Sequence, residues 1–338
     1  MNICKKLIYA ALTGSAILSG ASVKAEPQFT IRVADYLPPN HPTYEHGLKV
    51  FFEKIKDRLG DRVKFEYFPA EQLGKAQDLL NSLQSGVVGM AIVVPSYTAE
   101  KMPRVSVTEL PGLYSTSCDG TKSVLKAIQD NGVLADDFRR NRIHPFMGFM
   151  YQPTDLLSSS RKIVEVADWQ GYKARAPGGP TEIAIRELGG VPVKISVPDL
   201  YQAMSRGTVD GAMLVATSIP NYSLDSIVKS VTTGFSLGSV STFYAVSDAT
   251  WATLPPDVRA AIDAAGAEAS LNLCESLDKL ESDQLTKLAG RGVVINRLND
   301  TQRASWNAVS GAAIKDWASR LRMQPDQVQG IYDALAKH

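Results

Sequence analysis

Histidine and cysteine are scarce in this chain, four and three among 338 residues. Zinc sites draw on closely spaced Cys and His ligands, and no such spacing occurs. His41, Glu45 and His46 come nearest, but their interval matches neither the helical His pair one turn apart nor its inverted form, and Pro42 interrupts it. No metal or other cofactor is expected. A Walker-type glycine loop and a dinucleotide fingerprint are also lacking. Gly234-Phe235-Ser236-Leu237-Gly238 spells a nucleophile elbow, yet that chemistry needs a histidine after the serine, and only the terminal His338 follows Ser236. A Gly/Ser connection between strands is the better reading, and a secreted hydrolase using Ser236 the lesser one. No enzyme is expected. Excess charge is absent too, with 36 basic against 35 acidic residues, so nothing marks a nucleic-acid or anionic-membrane surface. A small-molecule partner remains.

Long apolar runs are confined to the start. Lys5 and Lys6 precede an uncharged stretch, Leu7 to Ala21, and Val23-Lys24-Ala25 ends it as a signal peptidase site does. Thr13, Gly14, Ser15, Ser19 and Gly20 make the stretch too short and broken for a spanning helix. Residues 1–25 therefore read as a signal peptide, with the mature chain starting at Glu26 in the periplasm. Cys4 lies ahead of the apolar stretch, which argues against a lipoprotein. Removing Lys5, Lys6 and Lys24 leaves 33 basic against 35 acidic residues. The remaining 313 residues exceed what one core usually spans, so two lobes are expected. Cys118 and Cys274 then sit in an oxidising compartment where a bridge can form, but the sequence does not bring them together, and two separate buried thiols are the favoured reading.

Phe29 to Val33 alternates as a strand, Leu48 to Leu59 repeats apolar residues on one helical face, and Val63, Phe65 and Tyr67 alternate again. A helix over 75–85 and a strand over 90–94 complete a β-α-β-α-β series, the pattern of an open α/β lobe. It restarts with strands at 172–176, 191–195 and 209–215, separated by helices at 181–188 and 198–206. From Pro256 to about Ala289 one long helical pattern runs uninterrupted, enough to cross both lobes. A short strand at 293–295 and helices at 306–321 and 325–336 close the chain.

Lys173-Ala174-Arg175-Ala176-Pro177-Gly178-Gly179-Pro180-Thr181-Glu182 places an arginine at a strand end, then a glycine turn, then a helix start. Free backbone N–H groups and the positive helix end favour an anion there, and a guanidinium fork can grip a carboxylate. Strand ends are also where open α/β sheets bind ligands.

Asp168 to Pro177, Glu187 to Val193, Asp199 to Met204 and Gly207 to Gly211, together with Tyr67 to Gly74 and Glu109 to Tyr114, resemble in register and order the DctP-type TRAP substrate-binding proteins. The resemblance runs from about Thr30 to Ala265. It implies a two-lobed periplasmic binding protein of type II-like architecture, with open mixed sheets, a ligand cleft between lobes and a long helix spanning both. Lobe I would cover 26–150, completed by part of about 240–290, lobe II 151–239, and the helices of 290–338 would pack on the lobes. It implies delivery of a small organic acid by a monomer to ion-driven membrane permease subunits, a sensor partner being the alternative. The family's carboxylate-gripping arginine falls on Arg175, expected in an open, wet cleft with no buried partner. The asparagine common after the Val-Asp-Gly strand is replaced by Ala212-Met213-Leu214, and the second arginine of many members by Thr154 and Asp155, which disfavours simple dicarboxylates and sialic acid. Asp155 would suit an amino or hydroxyl group and Leu214 an apolar portion. Loops after first-lobe strands add Tyr36, Glu71, Gln72 and Tyr97 as lining candidates, with packing or capping as their alternative role. Thr217 and Asn221 are candidate substitutes for the missing asparagine.

Overall fold

The computed structural model describes residues 28–129, 132–320 and 323–336; the segment read as a signal peptide, 1–25, lies outside them. Among the described residues the strands are β1 (Phe29–Ala34), β2 (Val63–Phe68), β3 (Met90–Val93), β4 (Ile143–Met150), β5 (Asp155–Ser158), β6 (Lys173–Ala176), β7 (Val191–Lys194), β8 (Gly211–Leu214), β9 (Ser230–Thr233), β10 (Ser241–Ser247) and β11 (Val294–Arg297). They form two sheets, β2-β1-β3-β10-β4 and β11-β9-β5-β8-β6-β7. In the first, β1 pairs in parallel with β2 and β3, as the β-α-β-α-β pattern predicts, while β10 inserts antiparallel between β3 and β4. In the second, β6 lies in parallel between β7 and β8, and β5 is antiparallel to β8 and β9. Both sheets are mixed.

Two segments carry the chain between the sheets side by side. Tyr151–Thr154 leads from β4 to β5, and Gly234–Val240 returns from β9 to β10. The Tyr151 amide donates to the Val240 carbonyl at 3.0 Å, and the Thr154 amide to the Gly238 carbonyl at 3.1 Å. The helix Pro256–Gly290 is the third link: it packs on β4, on the helix Ser117–Ile128 and on the second sheet's edge strand β11. Gly266 permits the close approach to β4, since a Cβ there would lie 1.9 Å from the Phe146 carbonyl oxygen. The second lobe has its own aromatic core, with Trp169 and Trp306 buried edge to face at 5.2 Å and the Trp306 indole N–H donating to the Val164 carbonyl. That contact fastens the helix Asp300–Asn307 to the second sheet. No helix among the described residues is long and apolar enough to cross a membrane.

Cys118 and Cys274 are joined, with Cα atoms 4.8 Å apart, which corrects the expectation of separate thiols. The sequence cannot reveal this because the pair is brought together by packing of the Ser117–Ile128 helix on the long helix. One turn beyond Cys274, Asp278 accepts from the amides of Ser117 and Cys118, placing a carboxylate at the positive end of the same helix. The bridge closes a separation of 156 residues, so reduction, or the double change C118S/C274S, should lower unfolding free energy by about 2 to 5 kcal/mol. Denaturant titration of both forms checks this; superimposable curves would show that the bridge adds no stability.

Candidate ligand-binding site

The site is built outward from Arg175, the third residue of β6. Its neighbours in the sheet present carbonyl oxygens on both sides: Nε donates to Ile195 at 2.7 Å and Nη1 to Met213 at 2.9 Å. Nη2 has only the Tyr97 hydroxyl, at 3.5 Å. The side chain is 1% exposed, yet the groups acting on its charge are the phenols of Tyr97, Tyr36 and Tyr222, with no carboxylate among them. Burial pushes its pKa down, but a guanidinium stays charged. A buried cation without a counter-ion is costly, and an anionic ligand would relieve that cost.

The expectation of an open, wet cleft around Arg175 is corrected here, because the lobes meet over it. Tyr97, from the first lobe, accepts from the Val197 amide at 3.3 Å through its hydroxyl, while its carbonyl accepts from Lys194 Nζ at 3.2 Å. Gly178, with φ of 128°, brings the loop after β6 so near that a Cβ would lie 2.3 Å from the Ser96 carbonyl oxygen.

Between the lobes remains a narrow cavity in which the centre of a water molecule can occupy about 30 Å³, room for about two waters. Its apolar wall is Leu37, Val94, Pro177, Val197, Leu214 and Val240; its polar wall includes Tyr36, Tyr97, Tyr151 and Tyr222. Burial pushes all four phenols up, so they stand protonated as donors. Tyr36 and Tyr97 pack edge to face at 6.0 Å. Beside Tyr36, Asp35 accepts from the Leu37 amide and from the Tyr67 and Tyr244 hydroxyls, which fixes the turn after β1. Its burial pushes the carboxyl up to about 6. His41 is buried and pushed down to about 3 by desolvation, hence neutral. Its Nδ1 accepts from the Thr43 amide at 3.2 Å, which puts the proton on Nε2, 3.3 Å from the Ser218 hydroxyl. The cavity therefore carries one charge, that of Arg175.

Of the residues named from the sequence, Arg175, Tyr36, Tyr97 and Leu214 come together in this cavity. The other five lie outside its lining. Glu71, in a left-handed conformation at φ 63°, turns its carboxylate back onto the Ala76 amide and Lys75, the capping alternative. Gln72 is exposed. Asp155 is buried at the start of β5, accepting from the Ala216 amide and facing Glu281 of the long helix. Thr217 is buried away from the cavity, and Asn221 donates to the Asn40 carbonyl at the surface. Not among those nine but present in the lining are His41, Tyr151, Thr154, Ser218 and Tyr222. Thr154 and Asp155 are the pair at which the family resemblance implies a second arginine in many members, and of the two only Thr154 reaches the lining. Ser236 accepts from the Gly112 amide and lies on the return segment between β9 and β10. Among the described residues no group of three or more His, Cys, Asp or Glu side chains is placed to hold a metal ion.

Two lobes joined by paired crossing segments and closed around a single buried cation define a solute-binding protein. Residues 33–320 match the family model of bacterial extracellular solute-binding protein, family 7, and the chain belongs to that family. It is 25% identical over 331 residues to the C4-dicarboxylate-binding periplasmic protein DctP of Rhodobacter capsulatus, covering 93% of this chain and 94% of that protein. Among solved structures, a marine metagenome TRAP solute-binding protein specific for aromatic acid ligands, in complex with metahydroxyphenylacetate, superposes with a TM-score of 0.84. The two are 23% identical over 91% of this chain and 99% of that one. A TRAP solute-binding protein from Rhodoferax ferrireducens, with copurified benzoate, matches equally well at 0.84 and 22% identity, covering 91% and 98%.

Proposed function

We propose that this chain is the periplasmic receptor of a TRAP system, which captures a small aromatic monocarboxylate between its lobes and passes it unchanged to an ion-driven permease. The observation that carries this is the buried Arg175 guanidinium, braced by two carbonyls and left without a counter-ion. A carboxylate would supply the missing charge and accept from the free guanidinium N–H groups and the Tyr97 hydroxyl beside them. A second carboxylate would meet no second cation in the lining, which argues against dicarboxylates despite the likeness to DctP. With the lobes resting slightly further apart than they do here, Leu37, Val94, Val197 and Leu214 would flank a flat ring with apolar surface, in keeping with the aromatic acids held by the two similar structures. The lobes must part for entry, hinging where Tyr151–Thr154 and Gly234–Val240 cross. The receptor acts as a monomer and performs no chemistry. A thermal scan against a panel of monocarboxylates, dicarboxylates and neutral aromatics tests this: aromatic monocarboxylates should raise the melting temperature by mass action and be recovered intact. A best ligand without an anionic group, or conversion of the ligand, would overturn it.

A further inference from the structure

Arg175 accounts for one end of a ligand only, and the cavity holds hydrogen-bonding capacity that an unsubstituted acid would leave unused. Tyr222 lines the cavity, yet its hydroxyl is buried and has no partner. Buried polar groups are rarely left so, because an unmade hydrogen bond costs its full desolvation penalty. Four residues earlier, Ser218 shows a related deficit. Since His41 Nδ1 accepts from the Thr43 amide, its Nε2 carries the proton and Ser218 Oγ is the acceptor. The Ser218 proton is then left to donate, and Ser218 is one of the residues lining the same cavity. His41 packs close to Tyr222, with ring centroids 6.2 Å apart, so these groups make one polar patch carried by two turns of the second lobe and one of the first. The patch is neutral, because burial keeps His41 uncharged and Tyr222 protonated. A second anion is thereby disfavoured, whereas a group that both donates and accepts is matched.

We infer that Ser218 and Tyr222 form a second anchor that recognises a hydroxyl substituent on the ligand, so that the preferred solute is a hydroxylated aromatic monocarboxylate. The ligand hydroxyl accepts from one of these side chains and donates to the other, in place of the hydrogen bonds water would make there. The inference rests on the proposed monocarboxylate function and narrows it.

Calorimetric titration with benzoate and with its 2-, 3- and 4-hydroxy derivatives tests the assignment on wild type, Tyr222→Phe and Ser218→Ala. At least one hydroxy isomer should bind wild type about tenfold or more tighter than benzoate. In both variants the ratio of hydroxy-acid to benzoate affinity should fall toward one, whatever happens to benzoate itself, and melting curves without ligand establish that each is folded. Should one variant fail to fold, the other carries the test, as the two residues belong to one anchor. Benzoate binding as tightly as every hydroxy isomer would overturn the inference, as would variants that weaken benzoate and the hydroxy acids equally, since Tyr222 and Ser218 would then serve the carboxylate. Arg175-dependent benzoate binding without isomer preference removes only this inference. Failure of all four acids to bind removes the proposed function with it.

Discussion

Arg175→Ala is expected to weaken capture of the cognate acid by about thirtyfold to several thousandfold. Truncating one partner of a buried, hydrogen-bonded charge pair costs roughly 2 to 5 kcal/mol, and each 1.4 kcal/mol is tenfold in affinity. Arg175→Lys should also lose most of its affinity, although the charge is kept. The guanidinium spends Nε and Nη1 on the carbonyls of Ile195 and Met213 and still has N–H groups to offer a ligand. A lysine ammonium has three donors on a flexible stem, and it cannot brace against both carbonyls and present a fork. The ligand-free melting temperature is a poor readout, because two effects oppose: the alanine variant removes an uncompensated buried charge but orphans two carbonyl oxygens. Ligand-induced thermal stabilisation is the right measurement. It should vanish in Arg175→Ala and shrink in Arg175→Lys, and a folded alanine variant that binds like wild type would show that the cation is not the anchor.

Why Arg175, Tyr36, Tyr97 and Leu214 are legible in the sequence while their companions are not follows from local geometry. Arg175 and Leu214 end strands, and Tyr36 and Tyr97 follow strands; in an α/β lobe those positions point toward the cleft whatever the rest of the chain does. The segment after β8 is different. It folds into short 3₁₀ turns, Ala216–Ser218 and Pro220–Tyr222, in which each residue is rotated by about a third of a turn. Thr217 and Asn221 are thus one position away from Ser218 and Tyr222, which face the cavity, and nothing in the sequence sets that phase. Glu71 was a reasonable candidate by position, but its left-handed backbone sends the carboxylate home to the Ala76 amide. His41 lines the site only because the turn after β1 is tied down by Asp35, a pairing with Tyr244 across 209 residues. Strands β10 and β4 carry no alternating pattern for a related reason. Every residue of β10 and six of the eight in β4 are buried, since both faces of those strands are covered, and a strand covered on both faces loses its period of two.

The largest pH effect should come from the hinge. Gln152 lies in the β4-to-β5 crossing and Asp155 just after it, and Glu281 of the long helix turns its carboxyl onto both: Gln152 Nε2 donates to it at 2.7 Å, and the Asp155 carboxyl is hydrogen-bonded to it. The groups facing this pair are the Thr233 hydroxyl, the amides of Ala216 and Thr217, and the more distant Arg297. Burial pushes both acids up, and at Glu281 the Asp155 carboxyl alongside pushes in the same direction. The folded protein therefore keeps a proton on the pair that the unfolded chain releases above the ordinary Glu value of 4.5. Stability from that proton is complete below this value and declines as pH rises, by at most about 1.4 kcal/mol per unit, until the folded pair itself ionises. Glu109, pushed up to about 8 by burial, and Asp35 act in the same direction, while His41, pushed down to about 3, opposes them below its ordinary value of 6.5, so the whole protein should lose stability most clearly between pH 6.5 and pH 8. Glu281→Gln isolates the hinge contribution, because every other titrating group is common to both proteins. A glutamine amide can accept from Gln152 and donate to an ionised Asp155 without holding a titratable proton. Its melting temperature should equal or fall below that of wild type near pH 4.5 and exceed it clearly at pH 8, with a shallower slope between. Parallel melting profiles for the two proteins across that range would mean that no proton is held between Asp155 and Glu281 in the folded state.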